Sequence, residues 1–241
     1  IMNTPGGNTI STAEHAWAHM ASLARNISQA SQSMREGRWD KGKYKGVELY
    51  EKTLGVIGAG RVGSIVGSRA MAFGMKVLAY DPFCADERIA QMGFKPADLD
   101  TLYAESDFIT FHCILNDDTR HMVDKEAFAK MKKGVFLLNC ARGGIIDEDA
   151  LLEALDSGQV AGVGLDVFEK EPPDPDHPLL KHPKCVCTPH LGASTSEAQE
   201  NVAIAIANQV VEALSGGEVK NAINIPAVPP KLKSVLGPYQ P

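Results

Sequence analysis

Lys52-Thr53-Leu54-Gly55-Val56-Ile57-Gly58-Ala59-Gly60-Arg61-Val62-Gly63, with Ala79-Tyr80-Asp81-Pro82 closing the next apolar run, is the stretch that decides the fold. The apolar run ending at Ile57 reads as a buried parallel strand, and Gly58 permits the sharp turn out of it. Gly60 has no side chain to keep a pyrophosphate off the backbone, and Gly63 lets the following helix pack close to the sheet. That helix, starting near Arg61, points the first N–H groups, those of Arg61 and Val62 among them, at an anion that the helix dipole favours. Asp81, at the end of a second strand from Lys76 to Tyr80, is placed to accept both hydroxyls of an adenosine ribose. Its charge repels a 2′-phosphate, so the expected cofactor is NAD rather than NADP.

Composition agrees. A chain of 241 residues with 44% hydrophobic and 22% charged residues is ordinary for a globular α/β protein. Its formal net charge of -6 disfavours nucleic acid and anionic membrane surfaces as partners. No apolar run approaches the ~20 residues that span a bilayer, and no signal peptide opens the chain. The five cysteines are odd in number and lie mostly in apolar runs, as expected for reduced thiols in the cytoplasm. Cys185 and Cys187 alternate as one face of a strand and read as small core residues. The first residue is Ile rather than Met, which leads us to expect a piece of a longer protein.

Along the chain, residues 1–10 contain the turn-rich Asn3-Thr4-Pro5-Gly6-Gly7-Asn8 and read as a hinge segment. Ser11 and Glu14 have the spacing of a capping box, which predicts one helix from Ser11 to about Glu36, stopped by Gly37. Its length, with Trp17 and Met20 among its apolar positions, suggests a subunit interface and hence a homodimer. His15 and His19 lie one turn apart on it; with no third ligand legible, they read as a solvated or interface pair, and no metal is expected. Further strands are predicted near Phe108–Phe111, Val135–Asn139, Val163–Val167 and Cys185–Cys187. Asp147 is an expected N-cap with Ile146 and Leu151 as a hydrophobic staple and Gly158 at the helix end. Ser194 and Glu197 predict another capping box, opening a helix to about Leu214. The Pro-rich stretch 221–241 reads as a linker, leaving 11–220 as one NAD-binding domain. Alternating strands and helices make this a Rossmann-type doubly wound parallel sheet of the α/β class.

Three segments carry chemistry: Asn139-Cys140-Ala141-Arg142-Gly143-Gly144, Leu165-Asp166-Val167-Phe168-Glu169-Lys170-Glu171-Pro172, and Thr188-Pro189-His190-Leu191-Gly192-Ala193-Ser194. All follow predicted strands, at the edge where open parallel sheets bind ligands. An Arg, a Glu and a His delivered to that edge meet the needs of alcohol-to-ketone oxidation. His112 and Cys113, just after a strand, are expected to line the cofactor site. His121, His177 and His182 read as loop or surface residues.

With these motifs, and with Asn3-Thr4-Pro5 and Asn221-Ala222-Ile223-Asn224-Ile225-Pro226 at its two ends, the chain resembles the nucleotide-binding domain of the D-isomer-specific 2-hydroxyacid dehydrogenases. The resemblance implies that Arg142, Glu171 and His190 are catalytic, with Asp166 and Gly192 near the nicotinamide carboxamide and Cys140 and Ala141 among the cofactor contacts. It implies oxidation of 3-phosphoglycerate to 3-phosphohydroxypyruvate, the first step of the phosphorylated route to serine. Alternatives are a glyoxylate or hydroxypyruvate reductase and an NAD(H)-sensing transcriptional corepressor. Ile114 stands where the family often has Pro. The family's substrate domain is expected to be largely missing from this chain, so that the substrate's phosphate is held mainly elsewhere, with Lys41, Lys43 and Lys45 as contributors. The chain alone is then expected to bind NAD but to turn over substrate poorly.

Overall fold

The computed structural model describes residues 1–224; the remainder of the expected linker, 225–241, lies outside the described residues. Two compact units emerge, Thr9–Ala193 and a second formed by Ile1–Asn8 with residue 194 onward. In the first, α1 (Thr9–Arg25) and α2 (Ile27–Arg35) precede the sheet, whose strands are β1 (Thr53–Ile57), β2 (Lys76–Tyr80), β3 (Lys95–Pro96), β4 (Phe108–Phe111), β5 (Val135–Asn139), β6 (Val160–Leu165) and β7 (Cys185–Cys187). Between them run α3 (Arg61–Ala72), α4 (Asp86–Gln91), α5 (Leu99–Glu105), α6 (Lys125–Lys130), α7 (Glu148–Asp156) and α8 (Pro178–Lys181). The strands pair in parallel in the order β3-β2-β1-β4-β5-β6-β7. This is the Rossmann-type doubly wound sheet, and the strand order reverses between β1 and β4, which opens a crevice at their carboxyl ends.

Both faces of the sheet are buried, and side-chain alternation sorts the strand residues between them. Leu54, Val56, Val77, Phe108 and Leu138 pack with Trp17 and Met20 of α1 and Val66 of α3. Ile57, Leu78, Ile109, Phe111 and Leu137 pack on the opposite face with Leu102, Phe128 and Leu151. On β6 the α1 side is glycine: a Cβ on Gly162 would press on Leu23, and one on Gly164 would press on His19. The missing side chains let α1 lie close against the sheet.

Several expectations need correction. The predicted helix from Ser11 to Glu36 is two helices, because Asn26 adopts the left-handed conformation with φ 52°. Asn tolerates that conformation better than most residues, and the chain changes direction there. Ser11 is no N-cap: it lies inside α1, where its hydroxyl donates to the Gly192 carbonyl at 2.7 Å, and Glu14 pairs with Arg69. Trp17 and Met20 are buried within this chain rather than left for a partner. β6 begins and ends earlier than predicted, and β3 was not foreseen. Gly37 does end the second helix, with φ 77°. Asp147 caps α7 by accepting from Ala150 N at 2.9 Å, and the five cysteines are free.

In the second unit, α9 (Ser196–Leu214) is capped by Thr195, not Ser194; its hydroxyl accepts from Ala198 N at 3.1 Å. Met2 bridges Ala222 antiparallel, with Asn3 N donating to Asn221 O at 3.1 Å. Among the described residues no helix is long and apolar enough to cross a membrane.

Gly63 is a packing constraint in the first unit, since a Cβ there would overlap the carbonyl oxygen of Gly58. Gly63→Ala is expected to cost about 1–3 kcal/mol through a forced backbone shift, read as a lower urea midpoint with unchanged slope.

Candidate active site

The crevice between β1 and β4 is built from glycine conformations. Gly58 holds φ 95°, and a Cβ on it would sit 2.7 Å from the His112 backbone, so the turn and the end of β4 touch directly. Gly60 is the reverse case: a Cβ there would meet nothing within 4 Å, because that face of the loop is open. Gly60 is also the N-cap of α3 and provides no side-chain cap, which leaves the first N–H groups of the helix directed outward. These features fit a pyrophosphate seated on the loop.

Asp81 follows β2. One carboxylate oxygen accepts from Ala59 N at 2.9 Å and the other from Phe83 N at 2.9 Å, so the acid braces the glycine loop while remaining part of the cleft wall. A cavity of about 290 Å³ is lined by Gly58, Gly60, Asp81, His112 and Cys113, which brings together five of the expected cofactor residues. Phe83, unnoticed in the sequence, also lines it and is 87% exposed, a flat apolar face beside the ribose acid. Burial pushes the His112 imidazole down to about 4, so it is neutral, with Nε2 2.9 Å from the Thr110 hydroxyl. Burial likewise pushes the Cys113 thiol up to about 11 and raises that of Cys140, so both are inert thiols rather than nucleophiles.

The other expected residues stand on the ends of β5, β6 and β7. Asn139 shapes the first loop: its side chain accepts from Ala141 N at 3.1 Å and donates to Arg142 O at 2.9 Å. Arg142 is exposed, its guanidinium donating to Ala141 O at 2.6 Å. Gly143 has no room for a Cβ against the Phe168 carbonyl, so this loop lies directly on the one carrying Glu171. Glu171 accepts from Phe168 N at 3.1 Å through Oε1 and meets His190 Nδ1 at 2.7 Å through Oε2. The structure thus joins Glu171 and His190 in one pair on half-exposed side chains, with Arg142 on the adjoining loop but in contact with neither.

His190 sits at φ 55°, a strained conformation for a residue with a Cβ. It is held by bonds from its own N–H to the carbonyls of Asp166 at 2.9 Å and Thr188 at 3.1 Å. The next two N–H groups, Leu191 and Gly192, donate to the Asp166 carboxylate at 2.7 and 2.8 Å. Burial raises the Asp166 carboxyl's proton affinity, but hydrogen bonds from His15, Thr188, Leu191 and Gly192 outweigh it and hold the pKa down at about 2. The carboxylate is entirely enclosed, which makes it a brace for the His190 loop.

His15 and His19 are not the solvated or interface pair expected from the sequence. Both rings turn inward to Asp166 and Thr188, and His19 is only 3% exposed. Their partners come from the ends of β6 and β7, more than 150 residues downstream, a distance that local spacing cannot reveal. The legible trace is the pair of glycines in β6, which marks a close approach to a strand backbone. Among the remaining histidines, His121 pairs with Glu169 at 2.9 Å, His177 with Glu148 at 3.1 Å and His182 with Asp156 at 3.5 Å.

Residues 17–192 match the family described as D-isomer specific 2-hydroxyacid dehydrogenase, NAD binding domain. The chain is 52% identical over 239 residues to a D-3-phosphoglycerate dehydrogenase of Archaeoglobus fulgidus, covering 99% of this chain and 45% of that protein. It is 49% identical to the enzyme of the same name from Bacillus subtilis, again covering 99% of this chain and 45% of the relative. The chain therefore spans less than half the length of these curated relatives. Among solved structures it resembles a glyoxylate reductase from Paecilomyes thermophila, with TM-score 0.86 and 36% identity over 93% of this chain and 68% of that one. A D-lactate dehydrogenase from Aquifex aeolicus complexed with NAD and lactic acid gives TM-score 0.84 and 31% identity, over 94% and 73% of the two chains.

Gly60→Ala separates binding from folding. With open space for the new methyl group, the variant is expected to unfold within about 0.5 kcal/mol of the wild type. It should nevertheless bind NADH about tenfold or more weaker, measured by calorimetry, because the methyl group occupies the phosphate face of the loop.

Proposed function

Because the chain belongs to the D-isomer specific 2-hydroxyacid dehydrogenases and forms the family's NAD binding domain, we propose that the full-length protein oxidises D-3-phosphoglycerate to 3-phosphohydroxypyruvate with NAD, opening the phosphorylated route to serine. The observation that carries the dehydrogenase reading is the 2.7 Å contact between His190 Nδ1 and Glu171 Oε2 at the carboxyl edge of the sheet. The choice of substrate is supported by identities near 50% to proteins of that name, against 36% and 31% for the glyoxylate and lactate enzymes. A reductase acting on glyoxylate or hydroxypyruvate would use the same three residues, and a panel of 2-hydroxy acids separates the two.

Bound NAD supplies the acceptor for the hydride that leaves C2 of the substrate. The residues of this chain do the rest. With Nδ1–H donating to Glu171, His190 carries a free lone pair on Nε2, the form required of a base. It takes the C2 hydroxyl proton during oxidation and returns it in reduction. Glu171 stabilises the imidazolium that results and fixes the ring's orientation. Arg142 grips the substrate carboxylate with two parallel donors, a task that a Lys point charge performs less well. Gly58, Gly60, Arg61, Val62 and Gly63 hold the pyrophosphate, and Asp81 receives the ribose and disfavours a 2′-phosphate.

We also read residues 1–10 as a hinge and 221–241 as a linker flanking the domain 11–220, in a cytoplasmic protein. The dimer reading moves to a different surface: Ile27, Met34 and Trp39 are 56%, 54% and 78% exposed around α2, an apolar patch fit for a second copy of the chain. Light scattering is expected to give a dimer, and Trp39→Glu to shift it towards monomer; a wild-type monomer at all concentrations sinks this reading.

In the full-length protein, His190→Ala is expected to lower kcat with 3-phosphoglycerate by about 100-fold or more, leaving NADH affinity nearly unchanged. Arg142→Ala should reduce kcat/KM about ten- to hundredfold, mostly through KM. Steady-state kinetics beside NADH titration check both, and loss of NADH binding in parallel with activity would contradict the assigned roles.

A further inference from the structure

Behind the His190 loop lies a polar cluster that the chemistry derived above does not use. His15 Nε2 stands 3.1 Å from Asp166 Oδ1 and 2.9 Å from the Thr188 hydroxyl, and His19 Nε2 stands 2.9 Å from that hydroxyl and 3.2 Å from His15 Nε2. The Thr188 hydroxyl in turn lies 2.6 Å from Asp166 Oδ1. One ligand atom from each of His15, His19 and Asp166 falls within 4.8 Å of the others, a spacing that a divalent metal could occupy.

The second nitrogen of His19 decides against the metal. Coordination through Nε2 would put the ring proton on Nδ1, and Nδ1 is buried without a hydrogen-bond partner, pressed against the backbone of Gly164. Metal-binding histidines ordinarily give that proton to an acceptor, and a buried N–H without one is costly. A bare lone pair at Nδ1 is the better tolerated state, so the proton sits on Nε2. Desolvation, reinforced by the neighbouring His15, holds His19 down to about 4 and therefore neutral.

Once that tautomer is fixed, the remaining donors follow. His19 Nε2–H donates to the Thr188 oxygen. Thr188 has a single proton to give, and the short contact takes it to Asp166 Oδ1. His15 Nε2–H donates to the same carboxylate. Donors thus run one way, from α1 through a hydroxyl to Asp166, which passes the constraint on by accepting the N–H groups of Leu191 and Gly192.

We propose that His15, His19 and Thr188 are positioning residues, a hydrogen-bonded brace that fixes the Asp166 carboxylate and through it the presentation of His190 to Glu171. The proposal rests on the dehydrogenase reading for its effect on catalysis, but the protonation pattern stands independently of it.

Thr188→Val keeps the shape and removes the hydroxyl, stripping Asp166 of one donor and His19 of its acceptor; Thr188→Ser restores both. In the full-length protein, with whichever 2-hydroxy acid it oxidises, Thr188→Val is expected to lower kcat per NADH-binding site on the order of ten- to hundredfold. The primary isotope effect with C2-deuterated substrate should be at least as large as in the wild type, because hydride transfer itself is slowed, and Thr188→Ser should recover most of the rate. His15→Ala, at the partly exposed end of the cluster, carries the same expectation should Thr188→Val fail to fold. Unchanged kcat per NADH-binding site in the variants overturns the brace. Nitrogen NMR of labelled histidine provides the activity-independent arm: His19 is expected to be neutral with its proton on Nε2 between about pH 6 and 8. A proton on Nδ1, or a one-to-one shift of the His15 and His19 signals on adding zinc ions, overturns the proposal in favour of a metal site. If no 2-hydroxy acid is oxidised, the dehydrogenase reading fails and the histidine spectra still decide the protonation pattern.

Discussion

A carboxylate removed from water must be surrounded by donors or give up its charge. Asp166 is wholly enclosed and meets this demand with four donors: two backbone N–H groups from the loop after β7, the Thr188 hydroxyl and an imidazole from α1. Each donor comes from a segment that has to be in place for the charge to be tolerated. One buried acid therefore ties the first helix of the unit, the end of β6 and the end of β7 into a single arrangement, on whose outer side His190 is displayed. The strained backbone of His190 is sustained by the same ties, since its N–H bonds to the Asp166 carbonyl.

The two halves of the site are held by different means. At the β1 and β4 ends the devices are absences: no Cβ at Gly58, where two backbones meet, and none at Gly60, where an anion must approach. At the β5, β6 and β7 ends they are side-chain bonds, with Asn139 shaping the Arg142 loop and Asp166 shaping the His190 loop. This division follows the chemistry. Phosphate binding needs bare N–H groups at a helix start, whereas proton transfer needs an imidazole held in one tautomer and one orientation.

Much of the fold was legible because its signals are local. Apolar runs gave β2, β4, β5 and β7 at their observed bounds, Asp147 announced its helix, and the Gly58 to Gly63 spacing gave the loop and its place in the sheet. The local signals failed where a distant partner outbid them. Ser11 and Glu14 have the spacing of a cap, yet Ser11 is buried against Gly192 and Glu14 is drawn to Arg69. Trp17 and Met20 looked like surplus apolar surface on a long helix. The sheet itself covers them, because β6 offers glycine on that side and α1 can come close.

The amino-acid sequence by itself determined the class of fold, the dinucleotide loop and the strand ends at which an Arg, a Glu and a His would appear, since each rests on residues within a few positions of one another. Only the tertiary structure decided that Glu171 and His190 touch while Arg142 stands apart from both. It alone turned His15 and His19 from a helix-surface pair into the inner support of Asp166. Those relations join residues brought together by parallel crossovers, and a parallel sheet makes its contacts between segments that lie far apart in the chain.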